Sequence, residues 1–120
     1  NGVVYVHVRG NTTGDPALIN NVLIENNVID AYSKVKQLAV ESVNGLWLKN
    51  NTIKCDKSLN PTHTPVIVSN SRIEEIDGVY IDYASDIQSA VAITGCEVDE
   101  ANIRNIEFVS PNTGNKYTIN

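Results

Sequence analysis

At 120 residues the chain holds one domain, or a piece of one, at the usual roughly 100–200 residues per domain. With 42% hydrophobic and 19% charged residues it has neither a disordered nor a membrane-embedded composition, and no apolar run approaches the roughly 18–20 residues that a spanning helix needs. Nine basic residues against fourteen acidic ones give a net charge of −5, the wrong sign for neutralising phosphates, so neither nucleic acid nor a membrane span is expected.

The 15 Val and 13 Ile suit packed strands, and the 16 Asn and 7 Gly suit turns. A chain with no Met that starts at Asn1-Gly2, inside a β-like run, reads as part of something longer. Cys55 and Cys96 are too few for a disulfide framework and lack the paired spacing of a zinc site, so unpaired thiols are expected. The glycosylation triplets at Asn11 and Asn50 are what an Asn-rich chain produces by chance.

In chain order, Val4, Val6 and Val8 alternate as an incoming strand, with His7 on the opposite face. Val22–Ile29 follows as a short apolar run closed by Asn26-Asn27, then a short helix-like stretch, Ala31–Lys36, lies in a connection. Leu46–Ile53 repeats the pattern of Val22–Ile29, with Asn50-Asn51 in the same place. His63 sits in a Pro-flanked loop and, like His7, has no second ligand at useful spacing. Val66–Ile73 carries the pattern again with Asn70, and Val91–Val98 carries it with Gly95. A second template joins Ile76–Ile81, Ile103–Phe108 and Val43–Leu48. The last stretch, 110–120, departs from both templates with a turn-rich run and then Lys116–Ile119, either a cap or the start of a further rung.

The first template starts at 22, 46, 66 and 91, with steps of 24, 20 and 25 residues, the length of one coil in a solenoid. Strands of three or four residues cannot bury themselves alone, but stacked coil on coil they form parallel sheets at about 4.8 Å per step. Asn26, Asn50, Asn70 and Gly95 then fall in one column at a sharp bend, where these residue types tolerate left-handed backbone, and stacked Asn side chains can hydrogen-bond along it. A sandwich built from hairpins would not generate one template every 20–25 residues.

The runs Val22–Ile29, Leu46–Ile53, Val66–Ile73 and Val91–Val98 resemble rungs of a right-handed parallel β-helix, the pectate-lyase-like superfamily, with the Asn-rich turn as the most specific element. The resemblance implies an all-β, single-stranded right-handed parallel β-helix of about four to five coils over 1–109, taken from a longer chain. It also implies a polysaccharide or glycan partner, an extracellular or cell-surface setting, and a parent that is a glycoside hydrolase or polysaccharide lyase in which this stretch is scaffold and groove wall. The competing implication is a non-enzymatic surface or phage tailspike-like β-helix that adheres to glycans or assembles as a homo-oligomer or against the rest of its parent. No cofactor is expected, apart from the Ca²⁺ that a lyase of this fold would hold in a cluster of carboxylates.

Among individual residues, Leu23, Trp47, Ile67 and Ala92 are expected to form one outward apolar column that packs against something. Trp47, Tyr80 and Tyr83 are the candidate aromatic platforms for a sugar ring. Glycoside hydrolysis needs a pair of carboxylates, and the densest acidic set is Glu74, Glu75, Asp77, Asp82 and Asp86. Asp82 and Asp86 are its weak catalytic candidates, Asp82 expected to lie outward beside Tyr80.

Overall fold

The computed structural model describes residues 6–10, 19–30, 37–55, 64–111 and 114–120. The helix-like stretch Ala31–Lys36, Val4, His63 and the Asn11 triplet lie outside the described residues. The chain forms β1 (Val6–Arg9), β2 (Ile19–Glu25), β3 (Val28–Asp30), β4 (Leu38–Glu41), β5 (Val43–Cys55), β6 (Val66–Ser69), β7 (Arg72–Tyr83), β8 (Ser89–Thr94), β9 (Glu97–Val98), β10 (Ile103–Val109) and β11 (Asn115–Ile119). A single short 3-10 turn, Glu100–Asn102, is the one helical element among the described residues.

Every strand pair is parallel, which excludes hairpins among the described strands. One sheet runs β1-β4-β6-β8-β11; the other runs β10-β7-β5-β2, with β3 on β5 and β9 on β7. The chain alternates between the two sheets as it climbs, the mark of a parallel β-solenoid. The four rungs β2, β5, β7 and β10 make three steps, so the solenoid has about three turns rather than four to five.

Inward aliphatics stack rung on rung. Leu38, Val66 and Val91 are in register in the first sheet, as are Val40, Val68 and Ile93. Leu48, Ile76 and Ile103 continue the core in the second, as do Ile53, Ile81 and Phe108. Most of these side chains are fully buried, and together they form one contiguous apolar cluster. Burying each is worth about 1.5–3 kcal/mol, which the short strands cannot obtain singly.

The long strands bend where a left-handed residue interrupts the in–out alternation. Among the described residues, all nine with positive φ fall into three such columns. Asn26, Asn50, Gly78 and Asn105 stack in the first, with φ of 57°, 53°, 89° and 56°. Ser42, Asn70 and Gly95 stack where the first sheet hands over to the second, and Asn21 stacks on Gly45. The expected column of Asn26, Asn50, Asn70 and Gly95 is therefore two columns at different corners. Val22–Ile29 and Leu46–Ile53 are in register in the second sheet, whereas Val66–Ile73 and Val91–Val98 begin in the first. Each corner imposes the same local demand, an aliphatic ladder, one left-handed residue and another ladder, so one template recurs at corners that are not equivalent.

The second template also divides. Ile76–Ile81 and Ile103–Phe108 are in register, but opposite Ile76–Ile81 on β5 lie Leu48–Ile53, not Val43–Leu48. Gly45 and Gly78 are both left-handed, so the two segments share a local pattern, but they stand in different columns, and the irregularity of β5 against β7 at Gly45 and Leu46 is local and leaves the register unchanged beyond it.

Hydrogen bonding along the turn runs one residue beyond the bend. Asn51 is buried, and its Oδ1 accepts from the Asn27 backbone N–H (3.2 Å) and from Asn27 Nδ2 (3.1 Å), while its Nδ2 donates to the Ile24 carbonyl (2.9 Å). Asn50 itself is exposed and lies against Gly78, where a Cβ would come within 2.5 Å of Asn50 Oδ1. Asn50 is thus selected for its backbone and Asn51 for its side chain. Replacing Asn50 with Val should cost about 1–2 kcal/mol of stability while Asn50→Gly costs almost nothing. Asn51→Ala should cost about 1–3 kcal/mol by orphaning the Asn27 amide and the Ile24 carbonyl. Denaturant melts of the three variants check both expectations.

Candidate functional site

On the outer face of the second sheet the register defines rows that run across the rungs. Leu23, Trp47 and Glu75 form one row; Glu25, Lys49, Asp77 and Arg104 form the next. Beyond the bend lie Val28, Thr52, Tyr80 and Glu107, then Asp30, Lys54, Asp82 and Val109. The expected outward column of Leu23, Trp47, Ile67 and Ala92 does not exist as one surface: Leu23 and Trp47 are neighbours here, whereas Ile67 and Ala92 are neighbours on the other sheet.

The acidic set is largely taken up by cations on adjacent strands. Glu75 lies 3.5 Å from Lys49 Nζ and pairs with Arg104, which also lies 3.6 Å from Asp77. Asn105 Nδ2 donates to Asp77 Oδ1 at 2.7 Å, and Arg72 pairs with Glu74. Asp82 is exposed and faces Lys54 across the rung. Asp86 is exposed in the turn after β7 and is not in a row with Asp82. These carboxylates serve a cross-strand charge ladder of the kind that supports parallel rungs. His7 belongs to the same pattern on the first sheet, its Nε2 3.5 Å from Glu41, which also lies 3.6 Å from Arg9.

The three aromatic candidates are in three different environments. Trp47 is half-buried and leans back over Gly45, where a Cβ would sit 3.5 Å from Trp47 Cζ3. Tyr83 points inward and is 3% exposed, so it cannot present a ring to a sugar; its hydroxyl has no hydrogen-bond partner. Burial pushes its phenol well above the ordinary value, with Cys55 adding to the shift. Cys55 is buried and Cys96 is half-buried, and the two are not joined in a disulfide. Burial likewise raises the Cys96 thiol, partly offset by backbone hydrogen bonds.

Tyr80 is different. It is 39% exposed in an interior rung, while the other exposed large hydrophobics, Ile19, Leu23, Val28, Val109 and Ile119, all sit on the first or last strands. It lines an open groove of about 440 Å³ whose wall includes Asn50, Thr52, Asp77, Asn105 and Glu107. Gly78 contributes no side chain to that wall, and Asn50 packs against it where a Cβ would otherwise stand. A smaller cleft of about 260 Å³ lies by Asp82, between Asp30, Lys54 and Tyr83. Thr52, Asn105 and Glu107 were not distinguishable from the sequence as site residues, because their meeting with Tyr80 depends on the rung register. The likeness of Ile76–Ile81 to Ile103–Phe108 already sets Glu107 opposite Tyr80, and knowing that Ile76–Ile81 stacks on Leu48–Ile53 would have added Thr52.

Among the described residues no group of three or more His, Cys, Asp or Glu is placed to hold a metal ion. Of the acidic set, Glu74, Glu75 and Asp77 are paired with Arg72, Lys49 and Arg104, and Asp82 faces Lys54. No family model, no curated protein and no solved structure matches the chain.

Removing the unpartnered Tyr83 hydroxyl should be harmless or stabilising, by about 1 kcal/mol for Tyr83→Phe. The raised phenol also sets an alkaline limit. Above the ordinary tyrosine value of 10.0 the unfolded chain releases the proton that the folded chain keeps. Stability held below that pH should therefore fall as the pH rises beyond it, less steeply in Tyr83→Phe, as thermal melts across the alkaline range would record.

Proposed function

We propose that this chain is the carbohydrate-associated part of a parallel β-helix protein akin to the pectate-lyase-like superfamily, acting outside the cell or at its surface. Its outer groove around Tyr80 forms a glycan-contacting wall. In a glycoside hydrolase or polysaccharide lyase parent this stretch would be scaffold and wall rather than the site of bond cleavage. The observation that carries the reading is an exposed aromatic ring in the middle of the stack, set in a groove lined by amide, hydroxyl and carboxylate groups. Flat aromatic faces take up the apolar face of a sugar ring, and the surrounding polar groups match its hydroxyls. The cation-paired acids of the neighbouring rows favour binding over general acid–base work.

Titrating a panel of oligosaccharides by calorimetry tests this. Tyr80→Ala should weaken binding about tenfold or more, whereas Trp47→Ala and Asp82→Asn should change it little and Trp47→Ala should act mainly on stability. Equal loss from Trp47→Ala would move the platform away from the groove.

One observation favours the second reading, assembly into an oligomer or against the parent chain. Ile19, Leu23 and Val28 at one end of the stack and Val109 and Ile119 at the other leave apolar side chains exposed on strands that are outermost among the described residues. Light scattering decides it: a concentration-dependent mass that collapses on Val28→Lys or Val109→Lys identifies the ends as contacts, and a constant monomer mass excludes self-assembly through them.

A further inference from the structure

The groove beside Tyr80 carries charge of one sign. Two carboxylates, Asp77 and Glu107, stand in its wall, and neither Lys nor Arg lines it among the described residues. Asp77 is already occupied, by Arg104 at 3.6 Å and by the Asn105 amide at 2.7 Å. Glu107, directly opposite Tyr80 across the rung, has no ion pair or side-chain hydrogen bond among the described residues. Arg104 is held between Glu75 and Asp77, and Lys116 lines an adjoining cleft that Glu107 also borders, with no ion pair between Lys116 and Glu107 among the described residues.

From this we infer that the groove selects an amino-bearing sugar over a neutral one and excludes uronates; the inference rests on the glycan reading and specifies its ligand class. The Tyr80 ring would lie under the sugar face while Glu107 accepts from the ammonium group. A cation above a tyrosine ring and beside a carboxylate gains from both. A uronate carboxylate in the same place would face Glu107 and Asp77 with no free cation in the wall, and the net charge of −5 adds to the repulsion. This is opposite to the selectivity that a pectate-type site would need.

Three probes of similar length test it: oligomers of glucosamine, of N-acetylglucosamine and of galacturonate, titrated into the 120-residue chain at low and high salt. The expected order is glucosamine above N-acetylglucosamine by about two- to fivefold, the scale of an exposed ion pair, with galacturonate not bound. The glucosamine advantage should shrink at high salt and vanish in Glu107→Gln, while Tyr80→Ala should weaken both bound probes together. Galacturonate binding as tight as glucosamine, or a preference unchanged in Glu107→Gln, overturns the inference while leaving the glycan reading standing. Failure of all these probes and of the wider oligosaccharide panel overturns both.

Discussion

A backbone that bends into the left-handed region at fixed places in every turn is the constraint on which the rest depends. Without those bends, strands such as β5 and β7 would run on as extended chain, and the two sheets would never face each other across one core. Left-handed backbone is costly for most residues, and it is met here by Asn five times, by Gly three times and by Ser once. Stacking confines the bends to columns, since a bend in one rung with no bend beneath it would break the parallel hydrogen bonds on either side. The aliphatic ladders, the Asn27–Asn51 pair and the outer charge rows all inherit their alignment from these columns.

The class of fold was legible in the sequence because the stacking demand is local and repeated. Alternating aliphatics ended by Asn or Gly mark a rung wherever they occur, and Leu46–Ile53 was correctly paired with Val22–Ile29. Which rung lies on which was less legible. Val66–Ile73 looks like another copy of Leu46–Ile53, yet it starts in the other sheet, because both corners need the same residue pattern. Val43–Leu48 resembles Ile76–Ile81 because Gly45 and Gly78 both carry a left-handed bend, although the two bends belong to different columns. The turn count was overestimated for the same reason, since corners from both sheets were counted as successive coils.

The groove was only partly legible. Tyr80 stood out as an aromatic in an alternating strand, and alternation alone correctly placed Asp82 outward. Tyr83 was misread because the same alternation that turns Tyr80 and Asp82 outward turns Tyr83 into the core. Thr52, Asn105 and Glu107 come from two other rungs and become neighbours of Tyr80 only through the register, which depends on the bends. The acidic run from Glu74 to Asp86 looked dense along the chain, but its partners, Lys49, Lys54 and Arg104, are a full turn away in sequence and adjacent in space.

The rows of alternating sign carry a further consequence. Along Glu25, Lys49, Asp77 and Arg104 each charge meets its opposite on the next rung, and Asp30, Lys54 and Asp82 repeat the alternation. The inward aliphatics are nearly interchangeable and would tolerate a rung docking on the wrong neighbour. If a rung were skipped, however, Glu25 would lie on Asp77 and Lys49 on Arg104. The charges therefore work as a parity check on assembly order: correct stacking pairs opposites, and omission of one coil sets like against like in both rows at once.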